Sequence, residues 1–286
     1  MFARSLPPLL RADLPPPAER RMRALEMAPL DPLWEVGEQA HAMVRAFPAG
    51  KLALFEGDRP TGVSVPIVAY ALRVGGDVMA VDTGLASRWR AAPADDAPAE
   101  GPSPGMRYRP LLDAPGFAEL LSTEGLTPDR LVCTHLHVDH AGGAREVGVA
   151  VEAAPEEIAA ALADQGREYP AQDLAGLKFA PIALDRGPVG PFPAHGILGP
   201  GLLAISTPGH TAGSISVFAC LGRTWAFICG DAAYPRAEEP DSEAYLGMLR
   251  VRRVLEEIPA TLVLAGHDTS ALRACADGAW LGLERG

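Results

Sequence analysis

The stretch that decides the fold reads Thr134-His135-Leu136-His137-Val138-Asp139-His140-Ala141-Gly142-Gly143. It follows an apolar run at 130–134 that is typical of a β-strand, and it precedes a short helical stretch. Residues i and i+2 at a strand end point to the same side, so His135 and His137 can hold one ion together. Asp139 and His140 lie where the chain turns, and they can face a second ion beside the first.

Three more residues follow predicted strands in a similar way, and they are His210, Asp231 and His267. The chain has seven histidines, of which only His41 and His195 lie away from these strand ends. We interpret His195 as a surface loop residue. Three imidazoles and one carboxylate suit one divalent ion, and two of each suit a second ion if Asp231 is shared. Because paired ions activate water and polarise carbonyl oxygens, the pattern predicts a binuclear hydrolase.

The composition is that of a globular protein, with 286 residues, 48% hydrophobic residues and 21% charged residues. The net charge of −11 argues against a nucleic-acid-binding surface, which requires basic residues. No apolar run is long enough to cross a membrane, and prolines interrupt the amino-terminal segment where a signal peptide would need a continuous apolar run. The four cysteines show no metal-binding spacing, so we expect buried free thiols and a cytoplasmic location.

The elements predicted from apolar patterning describe a layered α/β protein. Strands are predicted at 41–47, 51–56, 66–74, 77–81, 130–134, 147–153, 177–184, 202–206, 214–219, 224–229 and 261–265. Helices are predicted at 116–124, 155–165, 242–258 and 270–281. Two strand-rich halves that each end in a helix predict two sheets packed face to face, with helices outside.

Two segments lie outside this pattern. Residues 1–35 are rich in Pro and Arg, and we interpret them as an amino-terminal extension or arm, partly helical at 18–27, that is a candidate contact in a homodimer. Residues 36–286 then form a single hydrolase domain. The Pro-rich stretch 87–110 is predicted to be a long loop, and loops of this length in compact domains are usually functional or disordered.

At these histidines and aspartates the sequence resembles the metallo-β-lactamase superfamily, whose signature is this HxHxDH stretch followed by distant His, Asp and His residues. The resemblance covers about residues 40–270 and implies an αββα four-layer sandwich with two metal sites. By that match the first site is His135, His137 and His210, the second is Asp139, His140 and His267, and Asp231 bridges them. Asp82, in Val81-Asp82-Thr83-Gly84, is implied to orient a ligand histidine. Two divalent ions are implied, with Zn expected and Mn, Fe or Co compatible with the same donors.

Several branches of the superfamily fit poorly. The best-known β-lactamases carry Cys where Asp231 stands, and oxygen-reducing diiron members carry Glu where His137 stands. The nucleases of the superfamily bind polyanions, and the net negative charge of this chain does not favour such substrates. Glyoxalase II enzymes append a glutathione-binding helical domain after the last ligand, whereas only 19 residues (286 − 267) follow His267 here.

The sequence is most similar to the quorum-quenching N-acyl-homoserine lactonases. The segments 47–51 and 266–268 resemble theirs, and Tyr234 stands three residues after Asp231, where those enzymes place a tyrosine that contacts the lactone. One departure is Ser214, because lactonases of this group often have a histidine there. The resemblance implies attack of a metal-bridging hydroxide on the lactone, with Tyr234 stabilising the oxyanion and Asp139 acting as general acid.

Two alternatives stay open from the sequence. One is a thioester, ester or phosphotriester hydrolase on the same scaffold, with glyoxalase II-like chemistry. The other is a metal-binding protein without catalysis. Phosphodiester cleavage is a third alternative, which the lack of a basic surface makes weaker. The lactonase prediction implies a small-molecule lactone or ester as the substrate, and we expect the protein to bind neither nucleic acid nor membranes.

Overall fold

Two β-sheets lie face to face in the computed structural model, which describes residues 10, 13–91, 99–100, 106–164, 168–234, 242–258 and 261–282. The strands are β1 (Ala42–Glu56), β2 (Arg59–Val74), β3 (Asp77–Val81), β4 (Ala99–Glu100), β5 (Met106–Leu111), β6 (Arg130–Val132), β7 (Val151–Ala153), β8 (Phe179–Pro181), β9 (His195–Gly199), β10 (Leu202–Ser206), β11 (Ile215–Cys220), β12 (Trp225–Gly230) and β13 (Thr261–Ala265). The larger sheet has the order β4-β5-β1-β2-β3-β6-β7-β8, and the smaller has the order β13-β12-β11-β10-β9.

Helices cover the outer face of each sheet. They are α1 (Pro16–Arg23), α2 (Asp31–Gly37), α3 (Phe117–Thr123), α4 (Val138–Ala141), α5 (Ala144–Val147), α6 (Pro155–Ala163), α7 (Ala171–Leu174), α8 (Glu243–Glu257) and α9 (Ser270–Ala274), with 3₁₀ turns at Ser87–Ala91 and Ala276–Gly278. None of the described helices is both long and apolar enough to cross a bilayer.

Three apolar clusters fill the spaces between these layers. The cluster between the sheets joins Tyr70 of the larger sheet to Val217 of the smaller one. A second cluster packs Met22 of α1 and Val251 of α8 against the smaller sheet, and a third packs Leu121 of α3 against the larger sheet. The order of layers is therefore helix, sheet, sheet, helix, which confirms the predicted αββα sandwich.

Parallel strand pairs bring the carboxyl ends of several strands together at one edge of the sandwich. In the larger sheet β3 and β6 are parallel, and in the smaller sheet β12 and β13 are parallel. The carboxyl ends of parallel strands meet at the same sheet edge, which is where α/β sheets place ligand sites. Within the described ranges, two backbone hydrogen bonds join the sheets at this edge, from Val68 N–H to Gly266 O at 2.9 Å and from Ile215 N–H to Thr134 O at 2.8 Å.

The described part of the segment interpreted as an arm contains α1 and the beginning of α2, and both helices pack on the rest of the chain. Helix α1 begins at Pro16, where a proline needs no hydrogen-bond partner for its nitrogen, and it ends at Arg23 rather than at residue 27. Leu33 of α2, a helix that the sequence pattern did not indicate, lies in the same apolar cluster as Met22. The division of the chain at residue 35 stays a prediction.

Most predicted elements exist, and the differences have local causes. The strand predicted at 147–153 is wrong in its first half, because α5 runs to Val147 and ends at Gly148 in the left-handed conformation (φ +82°). The strands predicted at 41–47 and 51–56 are one continuous strand, β1, with a bulge between Pro48 and Lys51. The final helix ends at Ala274, well short of residue 281, and a 3₁₀ turn follows.

Two further expectations concern side chains and the long loop. The interpretation of His195 as a surface loop residue is wrong, because it lies in β9, is buried, and its Nδ1 lies 2.9 Å from the carbonyl oxygen of Gly187. The four cysteines are buried and free, as predicted. Of the stretch 87–110, residues 92–98 and 101–105 lie outside the described residues, and the described parts form the first 3₁₀ turn and strands β4 and β5.

Candidate metal centre

The seven residues predicted as ligands lie together at the edge where the parallel strands end. They fall into three groups whose donor atoms lie within 4.8 Å of one another. The groups are His135, His137 and His210; His135, His140 and Asp231; and Asp139, His140 and His267. Four of the seven residues follow β6 in the larger sheet, and the other three follow β10, β12 and β13 of the smaller sheet. The cluster therefore spans both sheets.

The first group is a set of three imidazoles. Nε2 of His210 lies 3.1 Å from Nδ1 of His137. The ring of His135 lies 4.5 Å from that of His137 and 4.7 Å from that of His210, measured between centroids. Nδ1 of His135 contacts the Thr134 hydroxyl at 3.3 Å, so its Nε2 is the nitrogen left to face the group.

Asp231 lies between the first group and the remaining ligands. Its Oδ2 lies 3.5 Å from Nε2 of His210 and 3.3 Å from Nε2 of His267. Its Oδ1 lies 3.3 Å from Nε2 of His140. On the far side, Oδ2 of Asp139 lies 3.4 Å from Nε2 of His267. Asp231 is thus the carboxylate within reach of both sets of imidazoles, as its predicted bridging role requires.

Hydrogen bonds from outside the cluster fix two of the rings. Oδ2 of Asp82 lies 2.8 Å from Nδ1 of His140, and Oδ1 of Asp82 accepts the Thr134 N–H at 2.7 Å. Nδ1 of His267 lies 2.7 Å from the carbonyl oxygen of Pro66. A carbonyl oxygen only accepts, so His267 carries its proton on Nδ1 and presents Nε2 to the cluster.

The backbone is specialised where it approaches the cluster. Gly230, before Asp231, has φ +47°, and a Cβ there would overlap the Thr134 hydroxyl. Asp82 also has a positive φ, +57°, which is uncommon for a residue other than glycine. Such conformations persist where surrounding contacts over-determine them, and they are frequent at functional sites.

The concentration of imidazoles and carboxylates shifts their pKa values. Burial acts to lower the pKa of His267, but the Asp231 and Asp139 carboxylates outweigh it and raise the pKa to about 9. Burial acts to raise the pKa of Asp231, but the imidazoles of His267, His140 and His210 hold it well below its usual value. Burial and the neighbouring imidazoles lower the pKa of His135 well below its usual value. His135 is therefore neutral and Asp231 ionised at neutral pH, which are the states that bind cations.

Three buried atoms of the cluster that could bind a cation lack a hydrogen-bond partner within the described part of the chain. They are Nε2 of His135, Nε2 of His140 and Oδ1 of Asp231; the last two lie 3.3 Å apart but outside hydrogen-bond geometry. Leaving such atoms unpaired is costly, and cations at these points would satisfy all three. The donor set of imidazoles and carboxylates fits divalent zinc, manganese, iron or cobalt. The residues therefore fit two divalent ions.

Tyr234 lies at the rim of the cluster. Its ring centroid is 5.7 Å from that of His267, and its N–H donates to the Asp231 carbonyl oxygen at 2.8 Å. Burial, with help from Cys229 and Asp268, raises the pKa of its hydroxyl far above the usual value. The Tyr234 hydroxyl therefore keeps its proton at neutral pH and can donate a hydrogen bond.

Three residues beside the cluster were not singled out from the sequence. The Tyr169 ring lies 4.9 Å from that of His137, and Oε2 of Glu168 lies 3.4 Å from Nε2 of His137. Glu157 contacts the loops that carry His137 and His210. The one available signal was that Glu157 and Ala161 share a face of α6, where an acidic residue on a buried face needs partners.

Comparison with known protein families shows which superfamily the chain belongs to. The model of the metallo-beta-lactamase superfamily matches residues 63–270, which include all seven candidate ligands and Asp82. The chain belongs to this superfamily. Among curated proteins, none matches the sequence.

Solved structures with this superfamily fold are similar to the chain at low identity. An N-acyl homoserine lactone hydrolase, solved with the product N-hexanoyl-L-homoserine at its catalytic metal centre, has a TM-score of 0.61 and 20% identity, covering 83% of this chain and 98% of that one. A mutant of the B. thuringiensis protein AiiA with bound N-decanoyl-L-homoserine gives the same values. A quorum-quenching N-acyl homoserine lactone lactonase has a TM-score of 0.59 and 21% identity, covering 82% and 95%. At these identities the likeness shows the fold alone.

Superfamily membership supports a metal-dependent hydrolase. The individual roles of the seven ligands, Asp82 and Tyr234 stay predictions, and the geometry above is what supports them.

Proposed function

We propose that this protein is a binuclear metal-dependent hydrolase that opens the lactone ring of N-acyl-homoserine lactones. The observation that carries the proposal is Asp231, whose carboxylate lies within 3.5 Å of His210 in the first ligand group and within 3.3 Å of His140 and His267 in the second. Tyr234 lies beside the His267 ring. The likeness to lactonases in fold and the tyrosine three residues after Asp231 support the choice of substrate.

The ligand residues supply the binding part of this function. Two divalent ions, with Zn expected, would supply Lewis acidity toward the substrate carbonyl and would make water a nucleophile at neutral pH. Ionised Asp231 and the neutral imidazole of His135 are ready to bind without further proton loss. Asp82 and the Pro66 carbonyl oxygen hold His140 and His267 so that their Nε2 atoms face inward.

Tyr234 and Asp139 act on the substrate side. The hydroxyl of Tyr234 donates a hydrogen bond to the carbonyl oxygen of the lactone, where negative charge develops as the nucleophile adds. The carboxylate of Asp139 lies 3.4 Å from Nε2 of His267 at the edge of the cluster. It takes the proton lost by the attacking water and passes it to the alkoxide that departs when the ring C–O bond breaks, and the product is the open-chain N-acyl-homoserine.

The test is a substrate panel with the zinc-loaded protein. Proton release is followed with N-acyl-homoserine lactones of several chain lengths, and with a glutathione thioester, a simple ester and a phosphotriester. We expect rapid release with the lactones and slow or no release with the others. Turnover of the thioester or phosphotriester without the lactones would contradict the lactonase assignment and would favour the alternative hydrolase. A protein that binds metal and hydrolyses no member of the panel would favour a non-catalytic role.

A further inference from the structure

Glu157 is a fully buried carboxylate, and it lies in the first turn of α6 with 0% of its surface exposed. Three donors contact it. Oε1 accepts the N–H of Leu136 at 2.8 Å and the hydroxyl of Tyr169 at 3.0 Å, and Oε2 accepts the hydroxyl of Thr211 at 2.6 Å. No described Lys, Arg or His forms an ion pair with Glu157, so these neutral donors are what stabilise the buried carboxylate.

Each donor lies next to a residue of the three-imidazole group. Leu136 is the residue between His135 and His137, and Thr211 directly follows His210. The ring of Tyr169 packs against the ring of His137 at 4.9 Å. One carboxylate therefore holds both loops that supply this group, although the loops follow strands in different sheets.

The loop after His210 is held to Glu157 by a relay of hydroxyl groups. The Thr211 hydroxyl donates to the carboxylate, so at its 2.7 Å contact with Ser214 the Ser214 hydroxyl is the donor. Ser214 Oγ in turn accepts the Thr211 N–H at 3.1 Å. A Cβ on Gly213 would overlap the backbone nitrogen of Glu157, so the loop lies directly on α6. This relay gives Ser214 a role at the position where the sequence departs from the lactonase pattern.

The rings of the other ligand group are oriented from outside α6. His140 is held by Asp82 and His267 by the carbonyl oxygen of Pro66, and neither contact involves α6. Asp82 also accepts the N–H of Thr134, next to His135, and so serves both groups, whereas the side-chain contacts of Glu157 are confined to the three-imidazole group.

We propose that Glu157 is a positioning residue for one of the two ions: it fixes His135, His137 and His210, and it leaves Asp139, His140 and His267 unaffected. The proposal rests on the two-ion part of the proposed function and is independent of the lactone substrate. Residues that orient metal ligands typically change metal affinity by about 10–100-fold when they are replaced.

The test compares Glu157→Gln with Glu156→Gln, a matched control on the exposed neighbour. The glutamine NH₂ would face the Thr211 hydroxyl in one orientation, or the Leu136 N–H and the Tyr169 hydroxyl in the other, so part of the network is lost at nearly constant volume. Zinc affinity is measured by competition with a chelator, and the unfolding of the metal-free protein is measured separately. We expect one equivalent of zinc to bind roughly 10–100-fold more weakly in Glu157→Gln, the second equivalent to be unchanged, and Glu156→Gln to match the wild type.

Ligand variants identify which ion is affected. In a His267→Ala background, where the three-imidazole group is intact, Glu157→Gln should weaken the remaining zinc. In a His210→Ala background it should have no effect on the remaining zinc. Equal weakening in both backgrounds, or wild-type affinity for both ions with only lower stability, would overturn the proposal and leave Glu157 a core residue.

Two milder variants keep the test decisive if Glu157→Gln does not fold. Thr211→Val and Tyr169→Phe each remove one donor and leave the carboxylate in place, and each should weaken the same equivalent of zinc. Unchanged affinity in both variants would overturn the proposal. A wild-type protein that binds no zinc would instead overturn the two-ion site itself, so the two failures are distinguishable.

Discussion

Oδ2 of Asp82 lies 2.8 Å from Nδ1 of His140, and both side chains are only 1% exposed. The same carboxylate accepts the N–H and the hydroxyl of Thr134, the residue before the first ligand. Both oxygens of the buried Asp82 carboxylate therefore have hydrogen-bond partners. Asp82 links the end of β3 to the ligand loop that follows β6.

Asp82→Asn should weaken zinc binding roughly 10–100-fold, because the amide cannot accept from all three donors and loses the charge that holds His140. Removing one partner of a buried pair is also expected to lower the unfolding free energy of the metal-free protein by about 3 kcal/mol. Chelator competition and denaturant unfolding measure the two effects. Asp58→Asn, at a carboxylate that is 88% exposed, is the control and should change neither. Wild-type zinc affinity in Asp82→Asn would refute the orienting role.

Asp231→Ala should abolish hydrolysis and lower the zinc content to one equivalent or less. The reason is that Asp231 approaches His140, His210 and His267 at once, so its loss removes the shared ligand. Elemental analysis and the substrate panel measure the outcome, with the exposed Asp185→Ala as a control. Two tightly bound equivalents and full activity in Asp231→Ala would rule out the bridging role.

Tyr234→Phe should slow lactone opening by roughly 100-fold, since one hydrogen-bond donor to the developing oxyanion is lost. The zinc content should stay at two equivalents, because the tyrosine contacts the His267 ring and not an ion-facing atom. Rates are compared at equal metal loading. An unchanged rate would assign Tyr234 to packing alone.

Gly84→Ala should destabilise the protein more than its backbone conformation alone explains. Gly84 has φ +67°, and a Cβ there would overlap the Cβ and carbonyl oxygen of Ala49 in β1. Gly75 has nearly the same conformation, φ +62°, with open space around it, so Gly75→Ala measures the conformational cost of about 1–2 kcal/mol. Equal loss of unfolding free energy in the two variants would show that β1 moves aside freely.

The sequence predicted the fold and the candidate ligands because both are encoded locally. Apolar runs bounded by turns gave β3, β10 and β13 their observed limits, and the histidines follow such runs directly. What the sequence did not reveal depends on tertiary contacts. Glu157 belongs to a helix that shows no chemical motif, and its donors come from 21, 12 and 54 residues away. His195 has a proline-rich flank that is typical of a loop, yet it pairs with β10 in the sheet.

The separate origins of the ligand residues have a mechanical consequence. His135 follows a strand of the larger sheet and His267 follows a strand of the smaller sheet, so the cluster exists only while the two sheets stay in register. At that edge two backbone hydrogen bonds between described residues cross from one sheet to the other, and one of them joins Val68 to Gly266. A pair of ions held there would cross-link the two sheets and oppose their separation. We therefore expect metal loading to lengthen the lifetime of the folded protein at high temperature, as a slower rate of unfolding.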